Sequence, residues 1–238
     1  MSVTAAIVLG IFSLVEGDEA FVRTDYVRAA AIYNSTLGVT ADSAEVLWRL
    51  ARVYVCMGDL AEKNKKSEFY RSADDYARRC ILADSTKSNG HTWRAAALGN
   101  IAMFEGGKEK IKLTYRIRDA LASAIRLNPG DDIAYSILGS FYLALGNVTW
   151  VERQLAAVFL GRLPDGGYPE AEENLKKAIA LAPEVIRNHC ELGKVYLEMD
   201  RKHEALEQFR IVLTLPVWWG TDARTQRWCS EAIKTLQE

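Results

Sequence analysis

The feature that most constrains this chain is a recurring helical hairpin. Leu192-Gly193-x-x-Tyr196 opens one helix, Ala205-x-x-x-Phe209 marks a second, and Pro216 closes the unit. Small Gly193 and Ala205 let two antiparallel helices approach closely, Leu192, Tyr196 and Phe209 fill the seam, and the proline stops the second helix. A second copy opens with Leu138-Gly139-x-x-Tyr142 and resumes at Ala171-x-x-x-Leu175-x-x-Ala178 before Pro183. A third runs from Leu98-Gly99 to Ile117-x-x-x-Leu121-x-x-Ala124 before Pro129, and a fourth pairs Leu50-Ala51-x-x-Tyr54 with Ala73-x-x-x-Ala77-x-x-Cys80. Upstream, Ala29-x-x-x-Tyr33 has the pattern of the second helix of one further, partial unit. Stacked hairpins bury their faces only against neighbours, so the last one needs a cover. Thr225, Trp228, Cys229, Ala232, Ile233 and Leu236 recur at helical spacing where that cover belongs.

This is the tetratricopeptide pattern, and it predicts an all-α fold: a tetratricopeptide-like right-handed superhelix of about five hairpins, with insertions and a C-terminal capping helix. Composition agrees, because only five prolines interrupt a chain rich in Ala, Leu, Glu, Lys and Arg, which lose little rotamer freedom in helices. The period is nevertheless broken. Ala205 follows Gly193 by 12 positions, whereas Ala171 follows Gly139 by 32, an excess of 20. That excess places an inserted helix at about 147–168, around Trp150-Val151-Glu152-Arg153-Gln154-Leu155, ended by Pro164-Asp165-Gly166-Gly167. So many large apolar residues in one short segment predict that it packs against the neighbouring repeat.

At 238 residues the chain divides into an apolar N-terminal segment, 1–17, and one repeat domain, 18–238. The stretch from Val3 to Val15 is too short to span a bilayer, and two readings stay open, a packing helix or the remnant of a secretory signal. The compartment stays open with them: cytoplasmic, or periplasmic or secreted if a signal is present. No other run approaches the roughly 18 apolar residues of a membrane span, so no integral membrane segment is expected.

Thirty basic residues against 31 acidic ones leave a net charge of −1, which provides no global field toward nucleic acid. Cys56, Cys80, Cys190 and Cys229 are far apart, without metal-ligand spacing, and read as small core hydrophobes. The histidines are His91, His189 and His203, and no nucleophile-elbow, zincin, P-loop or dinucleotide motif accompanies them. His189 and Cys190 are neighbours that point roughly 100° apart on one helix, which is no geometry for a nucleophile and its base. No catalytic residue, metal or cofactor is therefore expected, and the chain reads as a non-enzyme.

The insertions are more distinctive than the repeats. Leu47-Trp48-Arg49-Leu50-Ala51-Arg52, Phe104-Glu105-Gly106-x-Lys108-x-Lys110-Ile111 continuing to Leu127-Asn128-Pro129, Trp150-x-x-Arg153-x-x-Ala156, and Leu192-Gly193-Lys194-x-Tyr196-Leu197 together resemble the family called regulator of microtubule dynamics. The resemblance spans roughly Asp25 to Glu238. It implies a partner-binding helical-repeat domain; animal members are linked to microtubules, chromosome segregation and organelle contacts. Gly166-Gly167 and the loop after Leu163 look more like bacterial relatives, and the N-terminal membrane anchor of the tethering members is not expected here.

Hairpin arrays expose the first helix of each repeat on the concave side. Positions flanking the packed pairs there are Trp48 and Arg52, Trp93 and Asn100, Arg187 and Lys194, which are the candidate contacts to a protein or peptide partner through donors at fixed spacing. Arg49 and Arg52, three apart, predict one buried ion pair and one exposed side chain. Trp150, Leu155 and Phe159 are candidates for an apolar pocket, and with it for the alternative function of a lipid or apolar-ligand carrier roofed by the inserted helix. The densest basic run, Lys108, Lys110, Lys112, Arg116 and Arg118, would suit acidic tubulin tails but is diluted by Glu109 and Asp119.

Overall fold

The computed structural model describes residues 3–37 and 43–238, with side chains described from residue 13 onward. Among these residues the chain is twelve α-helices and no strand. Five antiparallel pairs are stacked in order: α1 (Val3–Val22) with α2 (Tyr26–Thr36), α3 (Ser43–Leu60) with α4 (Lys63–Ala83), α5 (Ser88–Ile101) with α6 (Gly107–Leu127), α7 (Asp132–Gly146) with α9 (Tyr168–Leu181), and α10 (Ile186–Glu198) with α11 (Lys202–Thr214). The inserted α8 (Trp150–Phe159) interrupts the fourth pair, and α12 (Asp222–Gln237) covers the last. The fold is the tetratricopeptide-like helical array that the repeats predict.

Local chemistry sets the boundaries. Asp25 and Asp131 cap α2 and α7 by accepting from the backbone N–H groups of Arg28 and Ala134, at 3.1 and 3.0 Å. Thr149 and Glu152 form a capping box on α8. Pro129, Pro183 and Pro216 each stand two residues beyond the end of a second helix. The residue before each proline, Asn128, Ala182 or Leu215, has left the α region, as the proline ring requires.

Inter-helix distance is set by glycine against a large side chain. A Cβ on Gly193 would lie 2.3 Å from the Phe209 ring, and one on Gly139 would lie 2.5 Å from Leu175. Gly58 meets Tyr70, and Gly17 meets Tyr33, in the same manner. Gly99, which carries the same sequence signature, has no such neighbour within 4 Å. Successive seams are filled by Tyr33 and Leu50, by Leu98 and Leu121, and by Leu175 and Phe209, all almost wholly buried; each contributes about 1.5–3 kcal/mol by leaving water. All four cysteines are buried.

Two expectations need correction. The inserted helix does not pack: none of its side chains is buried, and Trp150, Val158 and Phe159 are 72%, 74% and 69% exposed. Its attachment is polar. The Arg153 guanidinium donates to the carbonyls of Leu145, Pro164 and Gly166 at 2.6, 3.2 and 3.1 Å, tying the helix to α7 and to the turn that follows. The apolar contact with α6 is made by residues after the helix, Leu160 against Gly107 and Leu163 against the α5–α7 core. The second correction concerns Arg49 and Arg52, neither of which is exposed, since one carboxylate from α1 serves both. Most of the segment 1–17 lies outside the residues whose side chains are described. Among the described residues no helix is long and apolar enough to cross a membrane.

Candidate functional site

The first helices α3, α5, α7 and α10 lie next to one another in sequence order and form the inner face of the array. Partway along this face they surround a cavity of about 50 Å³, lined by Asp59, Trp93, Asp132, Ile133 and Arg187 together with Trp219 from the loop between α11 and α12. The space holds a few water molecules rather than a ligand. The rest of the groove at this point is filled by the chain itself. Trp219 stacks edge-on to Phe21 at 5.5 Å, and the Gly220 N–H donates to the Tyr26 hydroxyl at 3.2 Å, so the last repeat reaches back to the first.

Charge is concentrated around this point. Burial raises the pKa of Asp59, against the Tyr70 hydroxyl that donates to it at 2.9 Å and against Arg187. Burial, with help from neighbouring Asp131, likewise raises Asp132. Arg187 is exposed at the rim, and its side chain makes no ion pair or hydrogen bond among the described residues. Burial also pushes the Tyr26 hydroxyl up to about 12, which keeps it a neutral acceptor for Gly220 at physiological pH.

A second charged centre lies at the junction of α1, α2 and α3. Asp18 accepts from the Tyr33 hydroxyl at 2.6 Å and pairs with Arg49 at 3.0 Å and with Arg52 at 2.8 Å. Burial alone would raise the Asp18 pKa, but Tyr33 and the two guanidiniums outweigh it and hold the carboxyl below its ordinary value. Arg52 also lies 3.7 Å from the Phe21 ring centroid, and Arg49 lies 4.3 Å from that of Trp48. The neighbouring Glu45, bound by Lys87, Trp48 and Arg49 despite its burial, is held down to about 2.

The six candidate contact residues are therefore dispersed. Trp93 and Arg187 stand together at the central cavity. Trp48 donates to Glu45 and Arg52 is tied to Asp18, both within the junction of the first three helices. Lys194 pairs with Glu191 at 2.7 Å and lies over the Trp228 ring of α12. Asn100 is partly buried on α5, away from the cavity. Of the apolar candidates, Leu155 and Phe159 line an open groove of about 670 Å³ between α6, α7 and α8, and Trp150 stands outside it. No residue of α8 reaches the concave cavity.

Sequence reasoning passed over Tyr26, Asp59, Asp132 and the Trp218-Trp219-Gly220 segment. The last carried a signal, since two adjacent tryptophans follow a helix-ending proline in a loop, where such side chains need a partner. Among the described residues no group of three or more His, Cys, Asp or Glu side chains is placed to hold a metal. His189 is a satisfied core residue between Gln208 and the Pro183 carbonyl.

Comparison with known proteins agrees with this architecture. The chain superposes on a thermophilic TPR protein of Thermus thermophilus, TTC0263, with a TM-score of 0.70 at 20% identity, covering 94% of this chain and 99% of that one. It is 27% identical over 198 residues to human Regulator of microtubule dynamics protein 2, covering 82% of this chain and 48% of that protein. To mouse Regulator of microtubule dynamics protein 1 it is 32% identical over 168 residues, covering 68% and 54%. The chain thus spans about half the length of these relatives. The family model described as Regulator of microtubule dynamics protein 1-3 matches residues 14–237, and with nearly the whole repeat array inside that match the chain belongs to the regulator of microtubule dynamics family.

Proposed function

We propose that this chain is a non-catalytic scaffold that binds a polypeptide on its concave face, at the point where Trp93 and Arg187 meet. The observation that carries this reading is that the groove there already receives a turn of polypeptide, through one aromatic side chain and one backbone hydrogen bond. Large aromatics and arginine are the residue types that concentrate binding energy at such centres. Arg187 makes no hydrogen bond or ion pair among the described residues, although its charge acts on the Asp59 and Asp132 carboxyls beside it, so its guanidinium donors remain available to a carbonyl or carboxylate. Trp48, Arg52 and Lys194 are engaged by Glu45, Asp18 and Glu191 away from this point, so the reading rests on Trp93 and Arg187.

A role on microtubules, the subject of the relatives' names, finds less support in the basic run. Lys112 pairs with Glu109, Arg118 with Asp119, and Arg116 lies 3.9 Å from Asp74, so much of its charge is already matched. The test is peptide selection from a random library on the immobilised chain. Recovered peptides should bind the wild type and lose affinity at least about tenfold for Arg187→Glu, which removes about 1.4 kcal/mol or more, while the exposed control Lys177→Glu binds normally. Peptides indifferent to Arg187, or no enrichment at all, would remove the concave face from consideration.

A further inference from the structure

We infer that residues 216–221 act as a built-in competitor for the concave groove, and that the partner it fits is a peptide presenting, at a turn, a tryptophan followed by a small residue. This rests on the concave-face reading above and specifies its ligand.

The segment joins α11 to α12 and is shaped by Asp222, whose buried carboxylate accepts from the N–H groups of Trp218 and Trp219 at 2.9 and 2.8 Å. That turn drives one indole inward and the other outward. Trp219 packs into two hydrophobic clusters, one from α1–α3 with Phe21 and Tyr26, the other from α3–α5 with Val55 and Trp93. Val217 and Trp218, which precede the turn, are 53% and 56% exposed. Position 220 favours a small residue, because a Cβ there would stand 3.0 Å from Leu60 and 3.4 Å from Tyr26, closer than either sits comfortably. The segment holds on as a peptide ligand with a single anchor does, by one partly buried side chain and one backbone hydrogen bond to the receptor, with the residues before the anchor in water.

The anchor is also separable from the cap. α12 is held on α10 and α11 by Cys229, Ala232, Ile233 and Leu236, which belong to a different cluster from the one that receives Trp219. Withdrawal of Trp219 leaves that cap in place and exposes an aromatic-lined slot. Because the competitor is tethered, its effective concentration is on the order of millimolar, so an external peptide meets a groove that is mostly occupied. A partner succeeds by adding contacts the segment lacks, and Arg187 at the rim is the available one.

The test is a labelled peptide of residues 214–222, Thr-Leu-Pro-Val-Trp-Trp-Gly-Thr-Asp, titrated by fluorescence anisotropy against the full chain. Trp219→Ala should bind it at least about tenfold more tightly than the wild type does, and a peptide with alanine in place of its second tryptophan should not bind. Should Trp219→Ala melt well below the wild type, Gly220→Val supplies a second reading, since its side chain presses on Leu60 and Tyr26 and loosens the segment with Trp219 intact. Equal affinity for wild type and unseated variant, no binding to either, or equal binding of the alanine peptide would overturn the inference. Library peptides that still depend on Arg187 in that event would leave the concave-face reading standing.

Discussion

Alanine at Gly193 and at Gly99 should have opposite effects, although both glycines sit in the same Leu-Gly signature. Each lies inside a helix, where glycine-to-alanine gains about 0.5–1 kcal/mol from reduced backbone entropy. At Gly99 nothing stands within 4 Å of the added methyl, so that gain is realised in full. At Gly193 the methyl would lie 2.3 Å from one Phe209 ring carbon and 2.7 Å from the next, and Phe209 is wholly buried with no space to withdraw. Overpacking of this kind costs about 1–3 kcal/mol, so the net effect is a loss of up to about 2.5 kcal/mol. At about 2–4 °C per kcal/mol for a chain of this size, Gly99→Ala should melt a few degrees higher and Gly193→Ala several degrees lower. Thermal melts and urea titrations of the two variants check this. Phe209→Leu in the Gly193→Ala background should recover part of the loss, a coupling the single changes do not share. If Gly193→Ala proves as stabilising as Gly99→Ala, the glycine–aromatic contact is not what spaces the helices.

Two further outcomes follow from the charged junction and from the inserted helix. Because the carboxyls of Asp18 and Glu45 are depressed in the fold, their contribution is present above their unfolded values of 3.8 and 4.5 and is lost as pH falls through the folded ones, for Glu45 down to about 2. Urea stability measured at about pH 5 and about pH 3 should therefore fall less in Glu45→Gln than in the wild type. Arg153→Ala removes three hydrogen bonds to carbonyls, so limited proteolysis should cut faster around Gly161–Gly166, whereas Val158→Asp, on an exposed site, should shift stability by no more than about 0.5 kcal/mol.

What the sequence disclosed was the part that repeats. Glycine, tyrosine and alanine at fixed offsets, with a proline after each second helix, are local devices for pairing helices, and they are read without knowing the rest of the chain. The inserted helix was located for the same reason, as an interruption of the period. Its exposure was not legible, because the periodicity of Val151, Leu155, Val158 and Phe159 says that a face is apolar but not that anything lies against it. Arg52 looked available on its helix until Asp18, 34 residues earlier, proved to be its partner. The contact between Gly220 and Tyr26 spans 194 positions and depends on the curvature of the whole array, which no window of sequence contains.

The measurement that most directly tests the account is fluorine NMR of the chain labelled with 5-fluorotryptophan, with Trp218 and Trp219 assigned by single substitutions. In the free protein a soluble gadolinium probe should broaden the Trp218 signal and spare that of Trp219; saturating library-selected peptide should turn Trp219 into an exposed residue. Equal broadening of both signals in the free chain, or peptide binding that leaves Trp219 protected, would contradict a groove occupied by its own chain.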